Sequence, residues 1–248
     1  MKLGAQLYTV REFTQTENDF AETIRKVAAI GYETVQVSGI GPIPVGVVAD
    51  ILKSNGISCI ITHTPPARIK DDTDAVIADH DVLGADYIGI GMMPGEYCGS
   101  LDGVKRFVED FGPAAGRISA AGKKFMYHNH ALEFEKFDGR LVMEYLADNP
   151  DIGFTLDTYW VQAGGGDPGE WLTKLSGRVD VIHVKDMAWW DGAMRMSEVM
   201  EGNLNWASII KAAEGAGVKH AMVEQDDCYG KDPFECLKTS FINWSNWK

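Results

Sequence analysis

Short apolar runs, each bounded by turn residues, recur along the whole chain. Most of them are apolar on both faces and rich in valine and isoleucine, which is the pattern of strands in a parallel sheet covered by helices. The pattern predicts eight strands, at residues 2–8, 33–39, 57–63, 85–91, 123–130, 151–157, 179–186 and 219–226.

Segments with helical periodicity separate these strands. In the first, Phe20, Ile24 and Val27 keep one face apolar, and Gly31 follows where a helix commonly ends. Helices are predicted at residues 17–31, 45–56, 71–84, 101–122, 139–150, 167–177, 205–217 and 232–244. Eight strands alternating with eight helices predict one α/β domain over residues 1–248, a single (β/α)₈ TIM barrel.

The composition argues against several classes of protein. The chain has 23 Lys plus Arg against 36 Asp plus Glu, a net charge of −13, so we expect no nucleic-acid partner. No apolar run approaches the roughly 18 to 20 residues that span a membrane, and the N-terminus lacks the pattern of a signal peptide. The four cysteines show neither CxxC nor zinc-finger spacing, so reduced thiols in a cytoplasmic protein are expected.

Polar side chains collect where the predicted strands end. The stretch MYHNHALEF, residues 126–134, carries His128, His130 and Glu133 directly after an apolar run. In a (β/α)₈ barrel the loops that follow the strands converge at one rim, and catalytic groups lie there. Further rim candidates on the other strands are Gln6, Gln36, His63, Asp157, His183, Lys185, Asp186, Glu224 and Asp226.

Four consecutive strands end in a carboxylate or an imidazole. If neighbouring strands pair in sequence order, these groups form a site of three carboxylates and one imidazole, from Glu133, Asp157, His183 and Glu224. Mostly oxygen donors suit one hard or borderline divalent ion, Mn²⁺, Mg²⁺, Co²⁺ or Zn²⁺. The competing interpretation is that each group is a rim residue hydrogen-bonded to a loop, since charges are costly to bury unpaired.

At these motifs the chain resembles the xylose isomerase-like TIM barrels, which include sugar (phosphate) isomerases and epimerases, inosose dehydratase and endonuclease IV. Over nearly the whole chain, the family's motifs occur in order as GAQLYTVRE, YHNHALEF, LDTYWVQAGGGDP, VIHVKD, EGNLNW and MVEQDD. The resemblance implies a divalent ion held by Glu133, Asp157, His183 and Glu224. Many members carry the first glutamate inside strand five, where this chain has His128, so either Glu133 or His128 is the first ligand.

The resemblance also implies a reaction, proton abstraction next to the carbonyl of a sugar or keto-sugar through an enediolate. In that reaction Glu133 and Glu224 would be ligands and bases, His130 an acid or base, and Lys185 the group that steadies the oxyanion. Contacts with the small-molecule substrate are expected from His63, His128, Trp160 and Gln6.

Three alternatives to an isomerase or epimerase stay open at this point. A lyase or dehydratase acting on an inosose, a 3-keto-sugar or its glycoside needs the same proton abstraction, and the imidazoles of HNH suit its second step. A nuclease is disfavoured, because it needs a basic surface for DNA. The non-enzyme alternative is a sugar-binding subunit. The exposed pair Trp189 and Trp190 would cover either the substrate or a neighbouring subunit, so a homo-oligomer also stays open.

Overall fold

The computed structural model describes residues 1–247, and eight parallel strands in it form a closed barrel. Each strand pairs with its neighbours in sequence, and the last pairs with the first, as predicted. The barrel strands are β1 (Lys2–Gln6), β2 (Thr34–Val37), β3 (Ser58–His63), β4 (Tyr87–Ile90), β5 (Lys124–His128), β6 (Ile152–Asp157), β7 (Val181–Val184) and β8 (His220–Val223).

Helices follow the strands and pack on the outside of the barrel. They are α1 (Glu17–Ile30), α2 (Val45–Ser54), α3 (Pro66–Asp71), α4 (Thr73–Leu83), α5 (Leu101–Ala120), α6 (Val142–Ala147), α7 (Thr158–Ala163), α8 (Pro168–Lys174), α9 (Trp206–Ala216) and α10 (Pro233–Asn246). Shorter 3₁₀ turns occupy Leu7–Phe13, Gly95–Tyr97 and Ala131–Phe134. The prediction of a (β/α)₈ barrel is therefore confirmed. No helix within residues 1–247 combines the length and apolarity needed to cross a membrane.

Local chemistry explains where the helices begin and end. At α1 the Thr16 side chain accepts a hydrogen bond from the backbone N–H of Asp19, which satisfies a free donor at the helix start. The helix ends at Gly31, whose φ of 121° is accessible to glycine at little cost. The last residues of four other predicted helices are also glycines at the junction with the next strand, Gly56, Gly84, Gly122 and Gly217, and each has a positive φ that lets the chain turn into that strand.

The lower barrel interior is filled by apolar side chains. Ile61, Tyr87, Met126, Val181 and Met222 form this inner cluster. Glycines at the paired positions of the adjacent strands make room for the two methionines: a Cβ on Gly4 would lie 2.5 Å from Met222 Sδ, and one on Gly153 would lie 2.7 Å from Met126 Sδ. The packed interior leaves space for polar chemistry only at the carboxyl ends of the strands.

Several elements differ from the sequence prediction. The predicted strands extend past the observed ones by one to three residues at many ends, because the prediction included the polar residues that follow the apolar runs, such as 129–130, 185–186 and 224–226. The helices α3 and α7 were not predicted, since six residues are too few for a helical period to stand out. Two hairpins were also missed, Lys136–Phe137 with Arg140–Leu141 and Asp186–Trp190 with Ala193–Ser197.

Candidate metal centre

Four buried side chains meet at the carboxyl ends of neighbouring strands. His128 ends β5, Asp157 ends β6, His183 lies in β7 and Glu224 directly follows β8. One potential ligand atom from each lies within 4.8 Å of the others, and none of the four is more than 3% exposed. The barrel thus brings two imidazoles and two carboxylates to one point.

Hydrogen bonds orient both imidazoles of this group. His128 Nδ1 lies 2.8 Å from the carbonyl oxygen of Gly91, which can only accept, so this nitrogen is the donor. His128 Nε2 then faces Asp157 Oδ2 at 3.2 Å. His183 Nε2 lies 2.7 Å from Gln36 Oε1, while its Nδ1 lies 2.9 Å from Glu224 Oε2. Each ring therefore directs one nitrogen towards the carboxylates, as a metal ligand does.

The atoms at the centre of the group fit a bound cation. His183 Nδ1 and Glu224 Oε2 face each other at 2.9 Å without the alignment of a hydrogen bond, and Lys185 Nζ also lies 2.9 Å from Glu224 Oε2. A cation between the imidazole nitrogen and the carboxylate oxygen would be bound by both of them. Mixed imidazole and carboxylate donors suit borderline divalent ions such as Zn²⁺, Co²⁺ and Mn²⁺. The group could therefore hold one divalent metal ion.

A buried lysine balances the negative charge beside this group. Lys185 Nζ lies 3.2 Å from Asp157, 2.9 Å from Glu224 and 2.9 Å from Asp226. Burial disfavours the charge on Lys185, yet these three carboxylates raise its pKa above the ordinary value. Burial likewise opposes ionisation of Glu224, but Lys185 and His183 hold the pKa of Glu224 well below its usual range. The carboxylate and the ammonium are therefore both charged.

The same carboxylates make His183 more basic. Burial alone would lower the pKa of His183, but Glu224 and Asp157 raise it to about 9. Without a metal ion, this ring therefore carries a second proton at neutral pH. Metal binding must displace that proton, so affinity is expected to rise with pH.

A cavity of about 550 Å³ opens above the candidate metal centre. His63 and His130 lie in its wall, and burial lowers the pKa of both, to about 3 for His130. His63 Nε2 and His130 Nδ1 are buried without a hydrogen-bond partner in the described part of the chain. The lining consists of Tyr8, Arg11, Ser38, His63, Thr64, Pro65, Pro66, Gly91, Met92, Met93, Pro94, His128, His130, Lys185, Glu224 and Asp226.

Glu133, one of the two expected first ligands, lies outside the four-residue group. Its Oε1 accepts a hydrogen bond from the hydroxyl of Tyr127 at 2.5 Å, and its Oε2 accepts one from the backbone N–H of His130 at 2.7 Å. Glu133 is fully buried in the turn Ala131–Phe134. The structure places His128, the alternative, among the other three predicted ligands.

Two expected substrate contacts lie beside the cavity and do not line it. Gln6 Oε1 accepts a hydrogen bond from the backbone N–H of Tyr8, and Gln6 Nε2 lies 3.4 Å from His63 Nδ1. The ring of Trp160 lies 5.1 Å from that of His130 and 5.5 Å from Lys185 Nζ, measured to ring centroids. Both residues therefore support side chains that do reach the cavity.

Two residues of the site were given no role from the sequence. Gln36 was noted only as a polar strand end, although it interrupts the apolar run of β2 and hydrogen-bonds His183. Arg11 lines the cavity from the turn after β1. In the sequence, Arg11 is only a charged residue shortly after the first predicted strand. Charged residues stand at many such positions without any role in a site, so the sequence did not single it out.

Solved structures with the same fold include several enzymes. A sugar phosphate isomerase/epimerase from Parabacteroides distasonis has a TM-score of 0.82 and 23% identity, over 97% of this chain and 92% of that one. An L-ribulose 3-epimerase has a TM-score of 0.76 and 15% identity, over 99% and 94%. A probable 3-DHS dehydratase from Bacillus anthracis has a TM-score of 0.72 and 14% identity, over all of both chains. Identities this low establish a shared fold.

The sequence itself matches a family. No protein with a curated description matches the chain. The family model for the xylose isomerase-like TIM barrel matches residues 24–233, which is most of the sequence. The chain therefore belongs to the xylose isomerase-like TIM-barrel family.

Proposed function

We propose that this chain is a divalent-metal-dependent isomerase or epimerase that acts on a sugar or keto-sugar by removing a proton next to the carbonyl. The observation that carries the proposal is the buried group of two imidazoles and two carboxylates at the floor of a cavity. The isomerase and epimerase names of two structural neighbours agree with it.

The proposed ligands are His128, Asp157, His183 and Glu224. A divalent ion there would polarise the carbonyl and adjacent hydroxyl oxygens of the sugar and stabilise the negative charge of an enediolate. In this proposal the first ligand is His128, and Glu133, the other candidate for that position, is not a ligand. Glu133 then has a positioning role, because its hydrogen bond to the His130 N–H fixes the turn that carries the His130 ring.

Proton transfer requires groups that reach the sugar from more than one side. The Glu224 carboxylate lies at the floor and is ionised, so it can accept the proton on the carbon next to the carbonyl, although its low pKa makes it a weak base unless the carbonyl is polarised. His63 and His130 line the wall as neutral imidazoles, each with a ring nitrogen that has no hydrogen-bond partner, so either can take up a proton from the sugar and return it to the carbon skeleton. Lys185 Nζ can donate a hydrogen bond to the oxygen on which charge develops.

The test combines metal content with proton exchange. Purified protein, supplied with Mn²⁺, Co²⁺ or Zn²⁺, is incubated in D₂O with a panel of sugars and keto-sugars, and deuterium incorporation next to the carbonyl is followed by NMR. We expect about one metal ion per chain and exchange that a chelator abolishes. Asp157→Asn should lose both the metal ion and the exchange. The variant should still fold, because an asparagine can accept the hydrogen bond that Trp160 N–H donates to Asp157 at the start of α7.

Two outcomes would contradict the proposal. Wild-type protein that stays metal-free after metal is supplied would remove the proposed centre. Metal-loaded protein that binds sugars without any exchange would indicate the sugar-binding subunit.

A lyase or dehydratase is the second candidate, and the free nitrogens on two wall imidazoles favour it. In an elimination a base takes the proton next to the carbonyl, the electron pair forms a carbon–carbon double bond, and the leaving oxygen departs with a proton. A neutral His130 or His63 that takes the first proton becomes an imidazolium, which can then give that proton to the leaving oxygen. The dehydratase among the structural neighbours shares the fold. The NMR experiment separates the candidates, because elimination yields an unsaturated product and epimerisation conserves mass.

A further inference from the structure

The outer part of the cavity differs in chemistry from its floor. Above the imidazoles and carboxylates, the wall after β3 and β4 consists of Pro65, Pro66, Met92, Met93 and Pro94. Met92 is 51% exposed although it lies directly beside the polar site. A group of apolar side chains at the mouth of a cavity is characteristic of a surface that a ligand covers.

The apolar wall is also poor in groups that bind phosphate. The helix α3 begins at this wall, and a helix start normally offers free N–H groups to an anion. Here Pro65 occupies the position before the helix and Pro66 its first residue, and proline has no N–H. Two of the donors that a phosphate would use are therefore missing.

Arg11 and Lys185, the cations in the described lining, already have partners. Arg11 Nη1 donates to the carbonyl oxygens of Tyr8 at 2.9 Å and Asp226 at 3.1 Å, and its guanidinium lies 4.3 Å from the centre of the Tyr8 ring. Lys185 is enclosed by Asp157, Glu224 and Asp226. Lys185 is therefore neutralised by carboxylates, and Arg11 is held against the Tyr8 ring and two backbone carbonyls.

The last strand places negative charge where barrels of this class commonly bind phosphate. Such sites usually lie on the loops after strands seven and eight. In this chain the segment that follows β8 reads EQDD, residues 224–227, and two of its carboxylates, Glu224 and Asp226, line the cavity. A phosphate there would lie beside these carboxylates, and like charges disfavour its binding.

The cavity is larger than the sugar ring alone requires. Its volume of about 550 Å³ corresponds to roughly eighteen water molecules at about 30 Å³ each. A six-carbon sugar that sits on the polar floor therefore leaves the space beside the apolar wall for another group.

We propose that the substrate is an unphosphorylated sugar with an apolar substituent, whose ring lies over the polar floor and whose substituent packs against Met92, Pro65 and Pro94. The inference rests on the proposed function in that it places the reacting carbons of the sugar at the floor. In this proposal the three side chains select substrates that carry an apolar substituent. The chain would thereby differ from enzymes that select sugar phosphates.

Paired ligands test the substituent directly and need no turnover. Phenyl and methyl β-D-glucopyranoside, galactopyranoside and xylopyranoside are titrated into Mn²⁺-supplemented protein, with glucose 6-phosphate as the charged probe, and binding is followed by saturation-transfer NMR and calorimetry. In at least one pair we expect the phenyl glycoside to bind about tenfold tighter than the methyl glycoside, because its ring buries apolar surface. Glucose 6-phosphate should bind no tighter than the methyl glucoside.

A matched pair of variants locates the effect. Met92→Ala should reduce the phenyl-to-methyl affinity ratio by about threefold to tenfold. Met194→Ala should leave the ratio unchanged, because Met194 is similarly exposed but lies in the hairpin outside the cavity lining.

Equal affinities within every pair, no detectable binding of any phenyl glycoside, or tighter binding of glucose 6-phosphate would each overturn the inference. The proposed function fails separately, through absent metal binding or absent deuterium exchange. If the protein prefers phenyl glycosides but catalyses no deuterium exchange, the proposed class of ligand would stand and the proposed catalysis would fall.

Discussion

At the scale of single residues, hydrogen bonds from outside the candidate metal centre decide which nitrogen each imidazole presents. Gln36 lies within β2 and is not a member of the group, yet its Oε1 lies 2.7 Å from His183 Nε2 across the barrel interior. Because the Gln36 oxygen accepts, Nε2 always holds a proton, and in the neutral ring that binds a metal ion Nδ1 keeps its lone pair towards Glu224. Gln36 is therefore a positioning residue for the proposed ligand.

Replacing Gln36 should weaken metal binding without removing a ligand. In Gln36→Leu the His183 ring loses its acceptor and its preferred tautomer, and losses of this kind typically cost about 10-fold to 100-fold in metal affinity. Calorimetric titration of the metal-free protein with Mn²⁺ or Zn²⁺ measures the change. Gln6→Leu is the matched control, because Gln6 is equally buried on the neighbouring strand but contacts His63. Unchanged affinity in Gln36→Leu would contradict the role.

The sequence alone named three of the four residues of the buried group and left the fourth open between Glu133 and His128. Asp157, His183 and Glu224 were predictable because parallel strands place their carboxyl ends at one rim. The choice between His128 and Glu133 depended on how the chain folds back after β5. A hint existed in the sequence, since Glu133 stands three residues after His130, the spacing of a capping box that ties a glutamate to the backbone.

At the scale of elements, one aspartate organises the long connection between β7 and α9. Asp186 accepts hydrogen bonds from the backbone N–H groups of Met187, Met200, Gly202 and Leu204, and from Trp206 Nε1 at 2.7 Å. The backbone approaches so closely that a Cβ on Gly202 would lie 2.4 Å from Asp186 Oδ1. This carboxylate fixes the loop whose first residues carry Lys185 into the site.

Removing this carboxylate should destabilise the whole chain. Asp186→Ala leaves several buried donors without an acceptor, and we expect the free energy of unfolding to fall by about 3 to 5 kcal/mol. Asp186→Asn retains one acceptor oxygen and should lose less. Urea denaturation followed by circular dichroism provides the measurement. Asp50→Ala, on the exposed side of α2, should change it by less than about 0.5 kcal/mol. A loss no larger in Asp186→Ala than in Asp50→Ala would refute this account.

The elements that were missed are short and depend on contacts of single side chains. The helix α7 is started by Asp157 itself, whose Oδ1 accepts the N–H of Trp160, so a site residue is also the residue at which the helix begins. In the hairpin of Asp186–Trp190 with Ala193–Ser197, the Arg195 guanidinium stacks on Trp190 of the same hairpin and on Tyr229. Trp189 and Trp190 belong to this hairpin and do not line the cavity. The periodicity of apolar residues does not show contacts of this kind.

At the scale of the whole molecule, the fold was predictable because one pattern repeats. Each junction glycine, each buried strand and each amphipathic helix points to the same closed barrel, so errors of a few residues at element ends do not change the topology. The cavity above the candidate metal centre was not predictable, since its walls come from loops after several different strands. Sequence periodicity therefore predicts the barrel, whereas the shape of the cavity depends on how the loops pack, which periodicity does not show.

The stability of the whole fold is expected to depend on pH through a buried histidine, His80. This residue lies on α4, outside the candidate metal centre. Its Nδ1 lies 2.7 Å from the carbonyl oxygen of Val76 and its Nε2 lies 2.9 Å from the hydroxyl of Thr62. The Val76 carbonyl can only accept, so Nδ1 is the donor and the neutral ring accepts from Thr62. Burial lowers the pKa of His80 below its ordinary value, although the Val76 hydrogen bond raises it in part.

Acid should therefore unfold the protein partly through His80. Below a pH of about 6.5 the unfolded chain binds a proton that the folded His80 does not, so stability falls as the pH falls, by up to about 1.4 kcal/mol per pH unit for this group. In His80→Gln that contribution disappears, and the difference in unfolding free energy between pH 7.5 and pH 5 should shrink, even if the variant is less stable at pH 7.5. Urea denaturation of both proteins at the two pH values measures it, and an equal pH dependence would show that His80 is not the group that takes up the proton.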